Sequence, residues 1–172
     1  MVVIMIIIRF SSAGPVFFSQ QRFGLRGKVF KVIKFRTMYE SNGETDTEQA
    51  KPGDPRITPV GRLLRRMSLD ELPQLFNVLM GQMTFVGPRP HSIALNDKYR
   101  NSIAGYMRRY DVKPGITGWA QVHGLRGHTP NKKAMAKRVE YDLWYIRNQS
   151  LWLDAKIVFR TVFVIFNDKN AC

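Results

Sequence analysis

Pro73 restricts this chain more than any other residue. It falls inside VGRLLRRMSLDELPQLFNVLMGQM, residues 60–83, where the apolar spacing is helical. Deep inside a helix a proline removes a backbone hydrogen bond and clashes with the preceding turn, but the first turn tolerates it. The run is therefore expected to break at Met67–Ser68, with a new helix starting near Asp70. Leu75, Phe76, Val78 and Leu79 should face a core, and Gly81 should stop the helix. The break sets two adjacent carboxylates, Asp70 and Glu71, directly after Arg62, Arg65 and Arg66. Two readings fit them. Ser68-Leu69-Asp70-Glu71 matches the S-x-x-E capping box, and acids suit a helix start. Alternatively, a nucleophilic carboxylate lies beside a metal-binding one.

The chemical reading gains weight from charge. Lys and Arg number 27 against 13 Asp and Glu, a net charge of +14. Such an excess implies a polyanionic partner: nucleic acid, anionic lipid or a phosphorylated substrate. A composition 44% hydrophobic and 23% charged excludes a disordered chain, and 172 residues suffice for one domain with a core. The single cysteine, Cys172, allows no disulfide within the chain. His91, His123 and His128 lack i,i+4 pairing and a nearby cysteine, so zinc is not expected. No P-loop, G-x-G-x-x-G or G-x-S-x-G is present.

Along the chain, MVVIMIII is apolar but spans only about 12 Å as a helix, too short for a bilayer. It reads either as an interfacial or re-entrant piece or as a buried strand. GPVFFSQQRFGLRGKVFKVIKFRTM reads as an antiparallel hairpin over about residues 15–36, turning at Gly24–Gly27. Residues 39–59, polar and rich in Gly and Pro, read as a long exposed loop. IALNDKYRNSIAGYMRRY reads as a basic helix, KPGITGWAQVHGLRGHTP as a Gly-rich loop and KKAMAKRVEYDLWYIRNQ as a helix. A last helix starts at a Ser150 cap, with Trp152, Phe159, Phe163 and Phe166 on one face and Lys156 and Arg160 close by. That stripe is either core or a lipid-facing surface with snorkelling basic residues.

If Asp70 lies at a helix start, the dipole and the nearby arginines favour its ionised form. An ionised carboxylate in a site that excludes water can attack phosphorus. Glu71 could then hold Mg²⁺ together with substrate phosphate oxygens. In GPRP, prolines on both sides of Arg89 stiffen the backbone that aims one guanidinium fork, a shape that matches phosphate. Lys34 and Arg36 in KFRT, the Arg65–Arg66 pair and Arg126 are further phosphate-binding candidates; as single residues each also reads as a solvated surface charge.

Taken together, GPVFFSQQRFG, KVIKFRTM, DPRITPVGRLLRRMSLDELPQLFNVLMGQMTFVGPRP and DVKPGITGWAQVHGLRG resemble the bacterial sugar transferases, the monotopic polyprenyl-phosphate phosphoglycosyl transferases. KRVEYDLWYIRNQSLWLDAKIVFRTVF is similar to the undecaprenyl-phosphate glucose phosphotransferase branch, and the likeness runs from about residue 4 to 167. The resemblance implies an α+β fold: a mostly helical, membrane-associated catalytic core with a small antiparallel hairpin. It divides the chain into residues 1–13, what is left of a re-entrant membrane helix, and a catalytic domain over 14–172. It implies transfer of a sugar-1-phosphate, glucose-1-phosphate in this branch, from a UDP-sugar to undecaprenyl phosphate with release of UMP. Such a reaction begins exopolysaccharide or capsule synthesis at the cytoplasmic face of the bacterial inner membrane. Asp70 falls on the nucleophile, Glu71 on the Mg²⁺ ligand, Arg65 on the lipid-phosphate contact and Arg89 on the nucleotide-sugar contact. Arg36 falls on the basic residue of the Lys-Phe-Arg-Thr-Met element, and Lys34 and Arg126 complete the substrate-binding set. Anionic headgroups are expected partners, nucleic acid is not, and a homo-oligomer stays open.

Two features depart from the family pattern. The entering half of the membrane helix is absent, so the chain reads as a core cut from a longer protein or as a shortened gene. RGHTPNKKAMAKRVE lacks the acidic residues that commonly follow the Arg-Gly pair, so reaction type is better constrained than the sugar. The alternatives are an inactive remnant and a basic module that binds membrane or nucleic acid. Nucleic-acid affinity would fall steeply with salt and need no divalent metal.

Overall fold

The structure, a computed structural model, describes residues 1–40, 50–51 and 53–167. The expected hairpin is present. β1 (Phe17–Phe23) and β2 (Val29–Phe35) pair antiparallel, in register from Phe17 with Phe35 to Phe23 with Val29. Phe30 and Val32 of β2 pack with Met83, and Phe35 packs with Leu64. Its turn runs through Arg26 and Gly27, both at positive φ.

Before the hairpin lies helix α1 (Val2–Ser11), so the reading of the apolar start as a strand is overturned. Only Ile8 is buried, against Phe35 and Leu64, while Val2, Val3, Ile6, Ile7 and Phe10 stay exposed. After β2, a bridge between Met38 and Ile57 brings the chain back. Residues 41–49 and 52 of the expected exposed loop lie outside the described residues. The returning stretch is not exposed: Asp54, Ile57 and Thr58 are buried. The Thr58 hydroxyl accepts from the Gly61 amide at 2.8 Å and caps helix α2 (Pro59–Arg66). Gly61 is required by close approach, since a Cβ there would collide with the Thr37 carbonyl.

The break at Met67–Ser68 is where Pro73 demanded it, but the capping box is not formed. Ser68 has φ 57°, in the left-handed region, and its side chain makes no cap bond. An N-cap needs an extended backbone, so this geometry excludes the role. Leu69–Glu71 form a single 3₁₀ turn, and helix α3 (Gln74–Leu79) follows. The orientation of α3 meets expectation only in part: Val78 packs against Phe30, Val32 and Met83, but Phe76 and Leu79 do not face the core. Its buried residues are Gln74 and Asn77, whereas Phe76 and Leu79 are 48% and 81% exposed. The cause is Asn77, whose Nδ2 donates to the Lys31 carbonyl at 2.8 Å while its Oδ1 accepts from the Ile33 amide at 3.0 Å. The polar face of α3 is thereby fastened to β2.

The expected basic helix over 93–110 is divided. Helix α4 (Ile93–Tyr99) is followed by turns and a 3₁₀ segment, Tyr106–Tyr110, that starts after Gly105 at φ 72°. The expected Gly-rich loop carries structure. β4 (Gly115–Thr117) pairs parallel with β3 (Thr84–Val86), and helix α5 (Trp119–Val122) follows. Helix α6 (Lys132–Asn148), capped by Asn131, and helix α7 (Leu151–Asn167) complete the fold. The Ser150 hydroxyl accepts from the Leu153 amide at 3.2 Å, the expected cap. Leu153 and Ile157 of α7 pack on Val86, Val122 and Tyr145. Trp152, Phe159 and Phe163 point outward, so the core reading of the stripe is overturned; the Phe166 side chain lies outside the described residues. The fold is α+β with more helix than strand. No helix among the described residues is long and apolar enough to cross a membrane.

Candidate active site

Two elements set the acid pair. α2 and α3 hold the 3₁₀ turn between them, and the Asn77 bonds press it against β2. Asp70 and Glu71 are both buried, at 8% and 6% exposure. Their surroundings differ. Asp70 Oδ1 has no hydrogen-bond partner. Glu71 is gripped from two sides: Lys34 Nζ of β2 donates to Oε1 at 2.8 Å, and Arg89 donates Nη1 to Oε2 at 2.9 Å and Nη2 to Oε1.

These contacts drive the two acids apart. Burial raises the Asp70 carboxyl pKa, the Glu71 charge raises it further, and Lys34, Arg65 and Arg89 oppose without reversing the shift. The nearby arginines act on Asp70 in the expected direction, but the helix start is not at Asp70 and burial outweighs them. Burial alone would raise Glu71 too, but the charges and hydrogen bonds of Arg89 and Lys34 hold it well below the usual range. Burial lowers Lys34, and Glu71 counteracts this.

The other expected residues are placed as follows. Arg65 donates Nε to Thr37 Oγ1 at 2.8 Å, and its charge acts on Asp70. Arg126 donates to Ser68 Oγ at 2.8 Å, two residues before Asp70. Arg36 is engaged with the end of α1 instead. It donates to the Ser12 carbonyl at 2.8 Å, to Ser12 Oγ at 3.0 Å and to the Ala13 carbonyl, closing the end of α1. Sequence reasoning missed two residues. Arg22 of β1 donates to the Pro90 carbonyl at 3.3 Å and is pushed down to about 10, first by burial and then by Arg89. Gln74 is 1% exposed, four residues past Asp70, with an Nε2 that has no partner. Arg22 was one of six cations in the hairpin with nothing local to distinguish it; Gln74 was hidden by the assumption that α3 buries its apolar face.

No group of three or more His, Cys, Asp or Glu side chains that could hold a metal occurs among the described residues. Mg²⁺ commonly uses one or two carboxylates and takes its remaining oxygens from water and phosphate. Both Glu71 oxygens are taken by Lys34 and Arg89, so Glu71 could serve such a set only where those two cations turn to a diphosphate.

Comparison with known proteins fits this geometry. Residues 1–168 match the family described as bacterial sugar transferase. The chain is 56% identical over 164 residues to an Escherichia coli (strain K12) protein named UDP-glucose:undecaprenyl-phosphate glucose-1-phosphate transferase, covering 95% of this chain and 35% of that one. A Klebsiella pneumoniae protein of the same name is 53% identical, over 99% of this chain and 37% of its own length. An Aeromonas hydrophila protein named UDP-N-acetylgalactosamine-undecaprenyl-phosphate N-acetylgalactosaminephosphotransferase is 41% identical, over 96% and 39%. The chain thus spans a little over a third of the length of these relatives. With a family match over residues 1–168, the chain belongs to the bacterial sugar transferase family.

Proposed function

We propose that this chain transfers a sugar-1-phosphate from a UDP-sugar to undecaprenyl phosphate, with Asp70 as covalent nucleophile. The observation that carries the reading is the contrast within the acid pair: one buried carboxylate oxygen without a partner beside a carboxylate held by two cations. An Asp70 oxygen attacks the phosphorus that bears the sugar. The bond from that phosphorus to the bridging oxygen breaks, and UMP leaves with the electron pair. A lipid phosphate oxygen then attacks the same phosphorus and the Asp70 carboxylate departs, giving the lipid diphosphate sugar. Charge accumulates on phosphate oxygens throughout, so fixed cations are the main catalytic resource.

In this reading Arg89 and Lys34 take the donor diphosphate, while Arg65 and Arg126 flank the acid pair on the side of α2 and Ser68 for the lipid phosphate. Arg36 keeps the end of α1 beside the site. Glu71 would hold Mg²⁺, which when bound would neutralise diphosphate charge. Glucose is the proposed sugar, on the names of the Escherichia and Klebsiella relatives. The proposed setting is the cytoplasmic face of the inner membrane, at the start of exopolysaccharide or capsule assembly, with the exposed outer face of α1 against lipid.

Two displacements at phosphorus predict ping-pong kinetics. The test gives the protein sugar-labelled UDP-glucose and Mg²⁺ without lipid acceptor, and searches by mass for a sugar-phosphate adduct on the Asp70 peptide. Adding undecaprenyl phosphate should discharge the adduct. Turnover without an adduct, with kinetics that require both substrates bound together, would remove Asp70 from the nucleophile role.

A further inference from the structure

The loop that carries Arg89 has an unusual backbone problem. Pro88 and Pro90 have no N–H, so this loop cannot satisfy itself through a continuous ladder, and its carbonyls need donors from elsewhere. All three find one. The Pro88 carbonyl accepts from the Gly115 amide at 3.0 Å, the Arg89 carbonyl from Arg109 Nη2 at 2.8 Å, and the Pro90 carbonyl from Arg22 Nη1 at 3.3 Å. Two of the three donors are arginines, Arg109 buried and Arg22 partly so.

Arg109 is the more committed of the two. Its side chain is 1% exposed, and its Nε donates to Asp142 Oδ2 of α6 at 2.7 Å; that carboxylate is 2% exposed. Its Nη1 lies 2.8 Å from His91 Nδ1. A guanidinium only donates, so Nδ1 accepts and the imidazole proton sits on Nε2. Tyr106 OH lies 2.7 Å from the same Nδ1, while Nε2 is buried without a hydrogen-bond partner. Burial and the surrounding arginines, Arg109 first, keep His91 neutral. One guanidinium therefore fixes the carbonyl of residue 89 and the side chain of residue 91, and answers to a carboxylate on a different helix.

We propose that Arg109, held by Asp142, is a positioning residue that sets the aim of Arg89 toward the donor diphosphate. A fully buried ion pair is weak evidence for stability, because apolar replacement of both partners is often neutral or stabilising. Here the pair also grips the backbone of the residue whose own fork is clamped on Glu71. Asp142 orients Arg109, Arg109 anchors residue 89, and the Arg89 fork is delivered to the acid pair from α6. The inference rests on the reading of Arg89 as the diphosphate ligand.

The test is a double-mutant cycle. Arg109→Met with Asp142→Leu removes the pair without orphaning either charge. Binding of UDP-glucose with Mg²⁺ is followed by calorimetry, and KM for each substrate is measured with kcat. The pair variant should weaken donor binding by on the order of 10- to 100-fold, with the lipid KM unchanged. In an Arg89→Ala background the same pair change should cost little more, because its effect passes through Arg89. Equal losses with and without Arg89, or a folded pair variant that binds donor like wild type, would overturn the proposal. If Arg89→Ala itself leaves donor binding intact, the functional reading of Arg89 fails, and this inference with it. Should the pair variant not fold, Arg109→Lys replaces it. Lysine keeps the charge, but a single nitrogen cannot serve Asp142 and the Arg89 carbonyl in the same fork geometry. Donor affinity should fall as before, and a lysine variant at wild-type affinity sinks the idea.

Discussion

Asp70 and Glu71 are neighbours with opposite environments, and stability should register the difference. The Asp70 pKa lies above the ordinary 3.8 in the folded state, through burial first and the Glu71 charge second. The folded protein therefore holds that proton more tightly than the unfolded chain, and stability falls as pH rises from 3.8 through the folded value. At neutral pH the ionised carboxylate costs stability. Asp70→Asn should then unfold at a higher temperature than wild type at pH 7, lose that advantage below the ordinary aspartate range, and drop in turnover by about 10⁴-fold or more. Thermal unfolding at two pH values, with UMP release alongside, measures all three; a less stable Asn variant at pH 7 would mean that Lys34, Arg65 and Arg89 compensate the charge fully. Glu71 has the reverse sign. Its pKa is depressed, so its contribution is complete above the ordinary 4.5 and is lost as pH falls through the lower folded value. Glu71→Gln leaves Lys34 and Arg89 facing an amide, a loss on the order of 3 kcal/mol at pH 7. The gap to wild type in urea unfolding should close only in acid below 4.5; a gap independent of pH would assign the loss to packing.

The elements meet at Ser68, and there sequence and geometry part. Pro73 announced a break, and residues 15–36 announced a hairpin, because both rest on local chemistry: a missing N–H, a Gly-bounded turn, alternating apolar residues. The Ser-x-x-Glu pattern misled, because the turn is built by long-range bonds that no window contains. Arg126, 58 residues away, takes the Ser68 hydroxyl, and Asn77 bonds to residues 44 and 46 positions earlier. The parallel β3–β4 pair was hidden likewise: each strand has three residues, set among Gly and Pro, and a Cβ at Gly87 or Gly115 would strike the opposite backbone. Of the site, Asp70, Glu71, Lys34 and Arg89 were legible through composition and resemblance, whereas Arg22, Arg109 and Asp142 depend on tertiary contacts. The two accounts of Ser68 separate experimentally. Threonine is a good N-cap, so a capping box tolerates Ser68→Thr. At φ 57° a β-branched residue is strained, so Ser68→Thr should cost about 1–2 kcal/mol more than Ser68→Gly in urea unfolding. Near-equal stabilities would restore the cap.

At the scale of the whole molecule, apolar surface is concentrated on the outer faces of four helices. α1 exposes Val2, Val3, Ile6, Ile7 and Phe10; α2 and α3 expose Leu63, Phe76 and Leu79; α7 exposes Leu151, Trp152, Phe159 and Phe163. Exposed patches of this kind mark a surface that is covered in function, and a net charge of +14 favours an anionic cover. The acid pair offers no such face: its residues are buried and surrounded by Arg22, Lys34, Arg65 and Arg89. The proposed reaction, between a soluble nucleotide sugar and a lipid phosphate, would draw on both properties, an apolar exterior to meet the acceptor and cations to hold the phosphates. On α7 the aromatic and core faces are separable, since Ile157 and Leu153 pack inward while Phe159 and Phe163 touch one another outside, ring centroids 4.9 Å apart. Replacing Phe159 and Phe163 with Ser should therefore leave the unfolding midpoint within a few degrees of wild type. Co-sedimentation with anionic liposomes should fall by about tenfold or more, because two partly exposed phenyl groups no longer leave water. Raising salt should weaken wild-type binding through the charge component and leave a salt-resistant apolar part that the double variant lacks. Undiminished sedimentation of a folded double variant would place α7 away from the lipid and leave α1 to α3 as the membrane-facing surface.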